Sequence, residues 1–378
     1  MSKAVYIGAG GVAKKVKKGY IGVGSVARAI KRAYVGVGGV ARPCWPSGIP
    51  ELYGEITAST KSGGWRPSAT ANANYAFFCS TDRYDDGLDA YSANLVKSQA
   101  PARSVKGTRP GATRIGNYAV FGGGVYSSFQ NGVTAYDGNL VKSIPTGLAV
   151  ASCDSRATAV GNYGLFTGGT YSNPSTQSDA ASSIVTAYSS ALVYSQPTSL
   201  AVARVDHAAA STSNHALIAG GQLLYTNRWN SVDAYNSSLV RSTPTSLSQA
   251  KMQLAGASTP DYAIFGGGTS NGSAQSFADV EMYNTSLVKT SLADLSSARM
   301  NLCATTLAGS VMFAGGTLIS GYSSSAVDVY DSNLVKSALR VLPVATAVMS
   351  ATSVGQFALF GGGQADYVDT NAVYAFVA

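Results

Sequence analysis

Tyr118-Ala-Val-Phe121-Gly-Gly-Gly124 is an apolar run that ends in glycines, and the same device returns along the chain. It recurs as Tyr163-Gly-Leu-Phe166-Thr-Gly-Gly169, Ala216-Leu-Ile218-Ala-Gly-Gly221, Tyr262-Ala-Ile-Phe265-Gly-Gly-Gly268, Val311-Met-Phe313-Ala-Gly-Gly316 and Phe357-Ala-Leu-Phe360-Gly-Gly-Gly363. A degenerate copy, Tyr75-Ala-Phe-Phe78-Cys-Ser80, brings the number to seven. Short apolar runs closed by turn residues are strand signals. A second strand with a central tyrosine follows each one, at Tyr91, Tyr136, Tyr188, Tyr235, Tyr283, Tyr330 and Tyr374. Four residues past the first six tyrosines stands a leucine: Leu95, Leu140, Leu192, Leu239, Leu287 and Leu334.

From each of those leucines to the apolar residue of the next glycine strand the distance is always 26 residues. Counting back 26 from Phe78 lands on Leu52, within Pro50-Glu-Leu-Tyr-Gly-Glu-Ile56. The seventh repeat therefore takes its last strand from the N-terminal side of the first. A circular propeller closes in this way, whereas an open solenoid has no reason to. Residues 52–378 divided by seven give about 47 per repeat, enough for four strands and their turns. The expected fold is all-β: a seven-bladed β-propeller closed by an N-terminal strand. Small-residue stretches such as Ala69-Thr70, Ala112-Thr113 and Ala157-Thr158 suit the crowded strand nearest the axis. Lys97, Lys142, Arg241, Lys289 and Lys336 fall on the outermost strand, where cations discourage sheet-to-sheet pairing.

Residues 1–47 form a different unit. Tyr6-Ile-Gly-Ala-Gly-Gly-Val-Ala-Lys14 returns 14 residues later as Tyr20-Ile-Gly-Val-Gly-Ser-Val-Ala-Arg28, and again as Tyr34-Val-Gly-Val-Gly-Gly-Val-Ala-Arg42. The dipeptides Gly10-Gly11, Gly24-Ser25 and Gly38-Gly39 suit two-residue hairpin turns, which predicts a small β-meander. So short a meander has little face to bury and needs a neighbour to dock on. The chain is thus expected to divide into a glycine-rich attachment segment, 1–47, and the propeller, 48–378.

Charge separates the two units. The first 45 residues hold nine Lys and Arg and no acid, while the rest carries 18 Lys and Arg against 19 Asp and Glu. The formal net charge of +8 therefore belongs to the repeat segment, where Lys14, Lys15, Lys17, Lys18, Arg28, Lys31, Arg32 and Arg42 are the expected attachment residues. Charged residues make up 12% and hydrophobic ones 46% of the chain, which is not the composition of a disordered protein. No apolar run reaches the roughly 18 residues of a membrane helix, and the start lacks a long apolar stretch, so neither membrane insertion nor signal-directed export is expected. Cys44, Cys79, Cys153 and Cys303 are too sparse for a disulfide framework and read as free thiols.

Catalytic groups are scarce. His215 occupies the slot that holds tyrosine in four other repeats, and His207 follows Asp206 in a connector without further partners. The glycine triplets end strands and open no helix, so they read as turn and bulge glycines rather than phosphate cradles. Asp82-Arg-Tyr-Asp85-Asp86-Gly-Leu-Asp89 offers oxygen ligands but not the spacing of a calcium loop, and reads as solvated turn aspartates. No catalytic residue, metal or cofactor is expected.

Length variation carries the better signal. From the glycine-strand apolar residue to the next tyrosine the intervals are 13, 15, 22, 17, 18, 17 and 14. The insertions lie in one loop type, between the second and third strands, and those loops share one face of the disc. Variable loops on a rigid scaffold are where recognition resides. Their aromatics, Tyr84, Tyr126, Phe129, Tyr171, Tyr225, Trp229, Phe277, Tyr322 and Tyr367, are the candidate ligand-binding residues. With the Ser, Asn and Thr around them they suit an uncharged polar partner, a glycan or a protein surface; the alternative is that they only pack the loops.

A glycine doublet after an apolar strand, followed by Val327-Asp-Val-Tyr330-Asp331, resembles the kelch repeat, although Leu-Val-Lys-Ser stands where kelch repeats place a tryptophan. The Tyr-Ile-Gly-Val-Gly-x-Val-Ala-Arg unit resembles short repeats in structural proteins of tailed phages of Gram-positive bacteria. That resemblance implies a tail, baseplate or head-fibre protein of the virion, assembled in the bacterial cytoplasm and oligomeric in the particle. Its N-terminal repeats would contact other virion proteins, and its propeller would meet a host-surface glycan or protein or decorate the particle. The alternatives are nucleic-acid binding or assembly through the basic segment and, less favoured, a propeller enzyme acting on glycans.

Overall fold

The computed structural model describes residues 49–378 apart from 60–66, 80, 81, 83, 273 and 338, and the backbone of six short strands between Tyr6 and Pro43. Seven four-stranded antiparallel sheets form a β-propeller. Blades are numbered 1 to 7 along the chain and their strands a to d from the axis outward. The innermost strands are Ala69–Ala71, Gly111–Ile115, Arg156–Val160, Ala208–Ser211, Ala255–Ser258, Cys303–Leu307 and Ser350–Val354. Each neighbours the next around the axis, and that of blade 7 neighbours that of blade 1. Alanines and glycine, among them Ala69, Ala112, Ala157, Ala209, Gly256, Ala304 and Ala351, surround an axial cavity of about 220 Å³, as their small size allows.

Closure comes from the N-terminal side. In blade 7 the strand Glu51–Ile56 lies outside Val373–Val377, with Val373 opposite Ile56 and Tyr374 opposite Glu55. One detail departs from the residue count. The register shifts between Ala375 and Phe376, so Leu52 sits opposite Phe376 within the strand. The six other leucines instead sit in the turn between strands c and d, in the left-handed region at φ near +60°. That conformation is costly for leucine. It is offset by packing, because each leucine lies against a core cluster that joins its blade to the preceding one.

Those clusters explain the low charge of the propeller. Seven cores occupy the seven blade-to-blade interfaces, one for each neighbouring pair, and both faces of each blade are buried. The central tyrosines of strand c are buried in them, and six donate their hydroxyl to a carbonyl of the connector that enters the blade. Tyr235, for example, reaches Thr198 O at 2.7 Å. Burial raises the pKa of these phenols, so they stay neutral donors.

The glycine doublets are held between two connectors. Gly220 and Gly221 both have positive φ, at 68° and 96°. The Gly221 N–H donates to Lys251 O of the outgoing connector, and a Cβ on Gly221 would stand 2.7 Å from Val205 O of the incoming one. Blades 2, 3, 5 and 6 repeat this arrangement. Gly221→Ala is therefore expected to cost about 2–4 kcal/mol, from left-handed strain plus a backbone clash. Gly272→Ala, at φ 55° with nothing within 4 Å, should cost only about 1 kcal/mol. Urea unfolding of the two variants separates strain from clash.

The outermost cations do more than guard an edge. Lys289 lies 2.8 Å from Glu281 of strand c and Lys336 lies 3.0 Å from Asp328, while Lys97, Lys142 and Arg241 donate to connector carbonyls. At the same strand-c position, two residues before the central tyrosine, Asp233, Glu281 and Asp328 also meet the cations Arg204, Lys251 and Arg299, whose side chains are fully buried. Thr134 and Thr186 fill that position in blades 2 and 3 and accept a connector N–H instead.

In the N-terminal repeats the strands pair two by two: Tyr6–Ala9 with Val12–Lys15, Tyr20–Val23 with Val26–Ala29, and Tyr34–Val37 with Val40–Pro43. The paired strands lie on either side of the glycine dipeptides, which are themselves outside the described residues. Among the described residues these are three separate hairpins, where the spacing predicted a continuous meander. The basic connectors between units, such as residues 16–19 and 30–33, lie outside the described residues.

Candidate functional site

The variable b–c loops and the blade-to-blade connectors share one face, because the connectors into blades 2 to 7 pair with the loop stem of the blade they enter. Thr108 bridges Val125, Cys153 bridges Thr170, Val205 bridges Gln222, Met252 bridges Thr269 and Ala347 bridges Gln364. Recognition loops on this face therefore start from fixed stems.

The nine loop aromatics separate into two groups. Trp229 is half-buried, with its indole N–H donated to Ala203 O at 3.2 Å, and Phe277 is half-buried with Lys251 Nζ 6.0 Å from its ring centre. Both rest against the connector that enters their blade. The others gather at blade junctions or stand free. Tyr84 and Tyr126 meet edge to face across blades 1 and 2, with ring centres 5.7 Å apart. Tyr322 and Tyr367 are exposed on neighbouring loops of blades 6 and 7, which are tied by Tyr367 Oη donating to Gly321 O at 3.2 Å. Ser323 N–H donates to Asp366 Oδ1 at 2.9 Å in the same tie. Tyr225, at φ 65°, tips the blade 4 loop and is 82% exposed.

Phe129 and Tyr171 share a cleft of about 630 Å³ at the junction of blades 2 and 3. Two projecting hairpins build it. In blade 2, strands b and c extend to Val125 and back from Phe129, and in blade 3 an extra hairpin pairs Thr170–Asn173 with Ser178–Ala181. Ala149, Val150 and Ala151 of the connector complete the lining, with Ser127, Ser128, Ser172, Pro174 and Asp179. This is the size of a small-ligand pocket.

Sequence reading missed a second feature of the same face. Arg109, Asp154, Asp206, Gln253, Asn301 and Val348 each stand three residues before the small residue of strand a, and all six are left-handed, at φ between 51° and 58°. They form a collar in which backbone N–H groups donate to the preceding member: Asp154 to Arg109, Gln253 to Asp206, Asn301 to Gln253 and Val348 to Asn301, at 2.8–3.0 Å. Arg109 pairs with Asp154 at 2.6 Å, and Gln222 Nε2 donates to Asp206 Oδ2 at 2.9 Å. Only the constant spacing could have revealed it, since the six residue types differ. Arg66 holds the seventh position in the sequence and lies outside the described residues.

The histidines belong to the scaffold. His207 is fully buried; Thr167 Oγ1 donates to Arg156 O, so His207 Nε2–H donates to Thr167 Oγ1 at 3.1 Å. Burial, then the Arg204 and Arg156 charges, hold its pKa well below the ordinary value. The unfolded chain takes up that proton more readily, so stability should fall as the pH drops below about 6.5 and level out at the folded pKa. His207→Gln should flatten that part of the pH profile, measured as the urea midpoint. Asp82 and Asp85 cap the N–H groups of Tyr84 and Gly87, and Asp89 accepts from Ser59 Oγ. Among the described residues no three His, Cys, Asp or Glu are grouped to hold a metal, and no helix is long and apolar enough to cross a membrane. Of the expected attachment residues, Lys17, Lys18, Lys31 and Arg32 lie outside the described residues; Lys14, Lys15, Arg28 and Arg42 are described by backbone alone.

No protein-family model matches the chain, and no curated protein matches it. Several hundred solved structures resemble it in fold. One, titled "Structure of YjhT", is 13% identical with a TM-score of 0.56, over 73% of this chain and 96% of that one. At that identity the likeness speaks for the propeller alone.

Proposed function

We propose that this chain is a structural protein of a phage particle, attached through its N-terminal hairpins and displaying a kelch-like propeller whose loop face meets the host surface or decorates the particle. One observation carries the reading. Three hairpins with identical register, each too small to be stable alone, precede a rigid disc whose only variable loops share one face. The register also sets Lys14, Arg28 and Arg42 at equivalent places, opposite Ile7, Ile21 and Val35, so each hairpin offers the same basic position to a repeating partner. Binding rather than catalysis is favoured because the buried acids of strand c are engaged by cations and connector N–H groups.

The test is particle incorporation. The full chain should co-sediment with particles from the source culture, and residues 48–378 alone should fold yet stay in the supernatant. Incorporation of the truncated chain would refute the attachment role. Nucleic-acid binding is a second reading, favoured by nine cations without an acid in the first 45 residues. A gel shift at physiological salt that moves with the full chain and not with 48–378 would select it.

A further inference from the structure

We infer that the cleft between blades 2 and 3 is a subsite for uncharged pyranose rings of a surface polysaccharide. The inference rests on the reading that the loop face meets a host surface, and it names which part of the face does so and with what chemistry.

Three observations converge on it. The first is rigidity: one wall is the extension of strands b and c of blade 2 beyond a register shift at Gly122–Gly124, the other is a separate hairpin of blade 3, and the stem bridges Thr108–Val125 and Cys153–Thr170 hold both at the base. A preformed cleft loses little entropy on binding, unlike the single exposed tip at Tyr225. The second is the pairing of surfaces. The Phe129 and Tyr171 rings give apolar area for the C–H face of a sugar, while the Ser127, Ser128 and Ser172 hydroxyls can donate to and accept from its hydroxyls. The third is charge. Asp179 is the one residue charged at neutral pH among the described lining residues, and it is an acid. A carboxylate accepts hydrogen bonds from sugar hydroxyls and repels a uronate or a phosphodiester, so the cleft selects neutral chains over anionic ones.

The experiment is a calorimetric titration of the full-length protein with maltotetraose, cellotetraose and tetra-N-acetylchitotetraose, and with tetragalacturonate as the anionic counterpart. The expected result is saturable binding of at least one neutral tetrasaccharide at about 1 mM or tighter. Tyr171→Ala and Phe129→Ala should each weaken it by about tenfold or more. Val240→Ala, at an exposed turn of blade 4, should leave it unchanged. Asp179→Asn should narrow the preference against tetragalacturonate, with thermal melts confirming that each variant is folded. Absence of saturation up to about 10 mM for every neutral probe, equal binding by the two aromatic variants, or tighter binding of tetragalacturonate would each overturn the assignment. If the cleft fails while particles carrying the protein still adsorb to cells through the propeller, the particle reading stands without it. If the cleft binds but the protein never enters particles, the cleft stands and the particle reading falls.

Discussion

Deleting residues 1–57 is expected to abolish the cooperative fold, whereas deleting residues 1–47 should leave the melting transition of the propeller in place. The ten residues between the two cuts include the outer strand of blade 7. Without it Val373-Tyr-Ala-Phe-Val377 becomes an open apolar edge that has lost its ladder with Glu51–Ile56. Also lost are the edge-to-face contact of Tyr53 with Phe357 at 5.2 Å, the Arg340–Glu51 ion pair at 2.6 Å and the Thr57 carbonyl that Tyr91 needs. The sum is of the order of the whole stability of a domain, roughly 5–15 kcal/mol. Exposed edges of that composition also aggregate. Size-exclusion chromatography and thermal melts of the two truncations decide the matter. A peptide of residues 48–59 added to the shorter chain should restore a sharp transition, and a shorter chain that melts like the longer one would show that the clasp carries no stability.

Asp328→Ala should be the most damaging single substitution of a charged group, at about 3–5 kcal/mol. It leaves the Arg299 guanidinium, now 2.7 Å from Asp328 and fully buried, without its counter-charge. The Ser296 N–H and hydroxyl lose their acceptor as well. Replacing both partners, as Arg299→Met with Asp328→Leu, should recover much of the loss, because the penalty comes from the orphaned charge rather than from the missing attraction. Urea midpoints of the two singles and the double close the cycle. Acid should act like a partial version of the substitution. Burial works to raise the Asp328 pKa, but Arg299 and Lys336 overcome it and hold the carboxyl below its ordinary value. Glu281 is held down in the same way, against burial, by Lys289, Ser248 and Lys251. For a depressed carboxyl the stabilisation is complete above the unfolded pKa, about pH 4, and is lost as pH falls through the folded one.

Most of the architecture was legible because a ring imposes constant spacings. The 26-residue interval told of closure before any contact was known, and the small residues told which strand faces the axis. Chemistry that depends on a single register was harder to see. Leu52 fits the count but not the pairing, because the ladder shifts register between Ala375 and Phe376. The edge cations looked like gatekeepers, since nothing local announces that in four blades an acid two residues before the tyrosine, Asp89, Asp233, Glu281 or Asp328, will sit beside them. Trp229 and Tyr225 are four residues apart in one loop and looked alike. Only the structure separates an indole hydrogen-bonded to Ala203 O from a ring left in solvent. The collar was hidden for the opposite reason: its backbone conformation repeats in six blades while its side chains run from arginine to valine.

The clasp also sets an order of events. Gly54 pairs with Ala375, so the contact that completes the ring joins segments about 320 residues apart. During synthesis Glu51–Ile56 emerges before any of the blades and must wait, unpaired, until Val373–Val377 has left the ribosome. Until then blades 1 and 7 each present an uncovered apolar flank. Blades 2 to 6 can stack one upon another as they appear, but completion is a single late step of very high contact order, slow by its topology. Whatever shelters Glu51–Ile56 during that interval decides how much of the newly made protein reaches its final form.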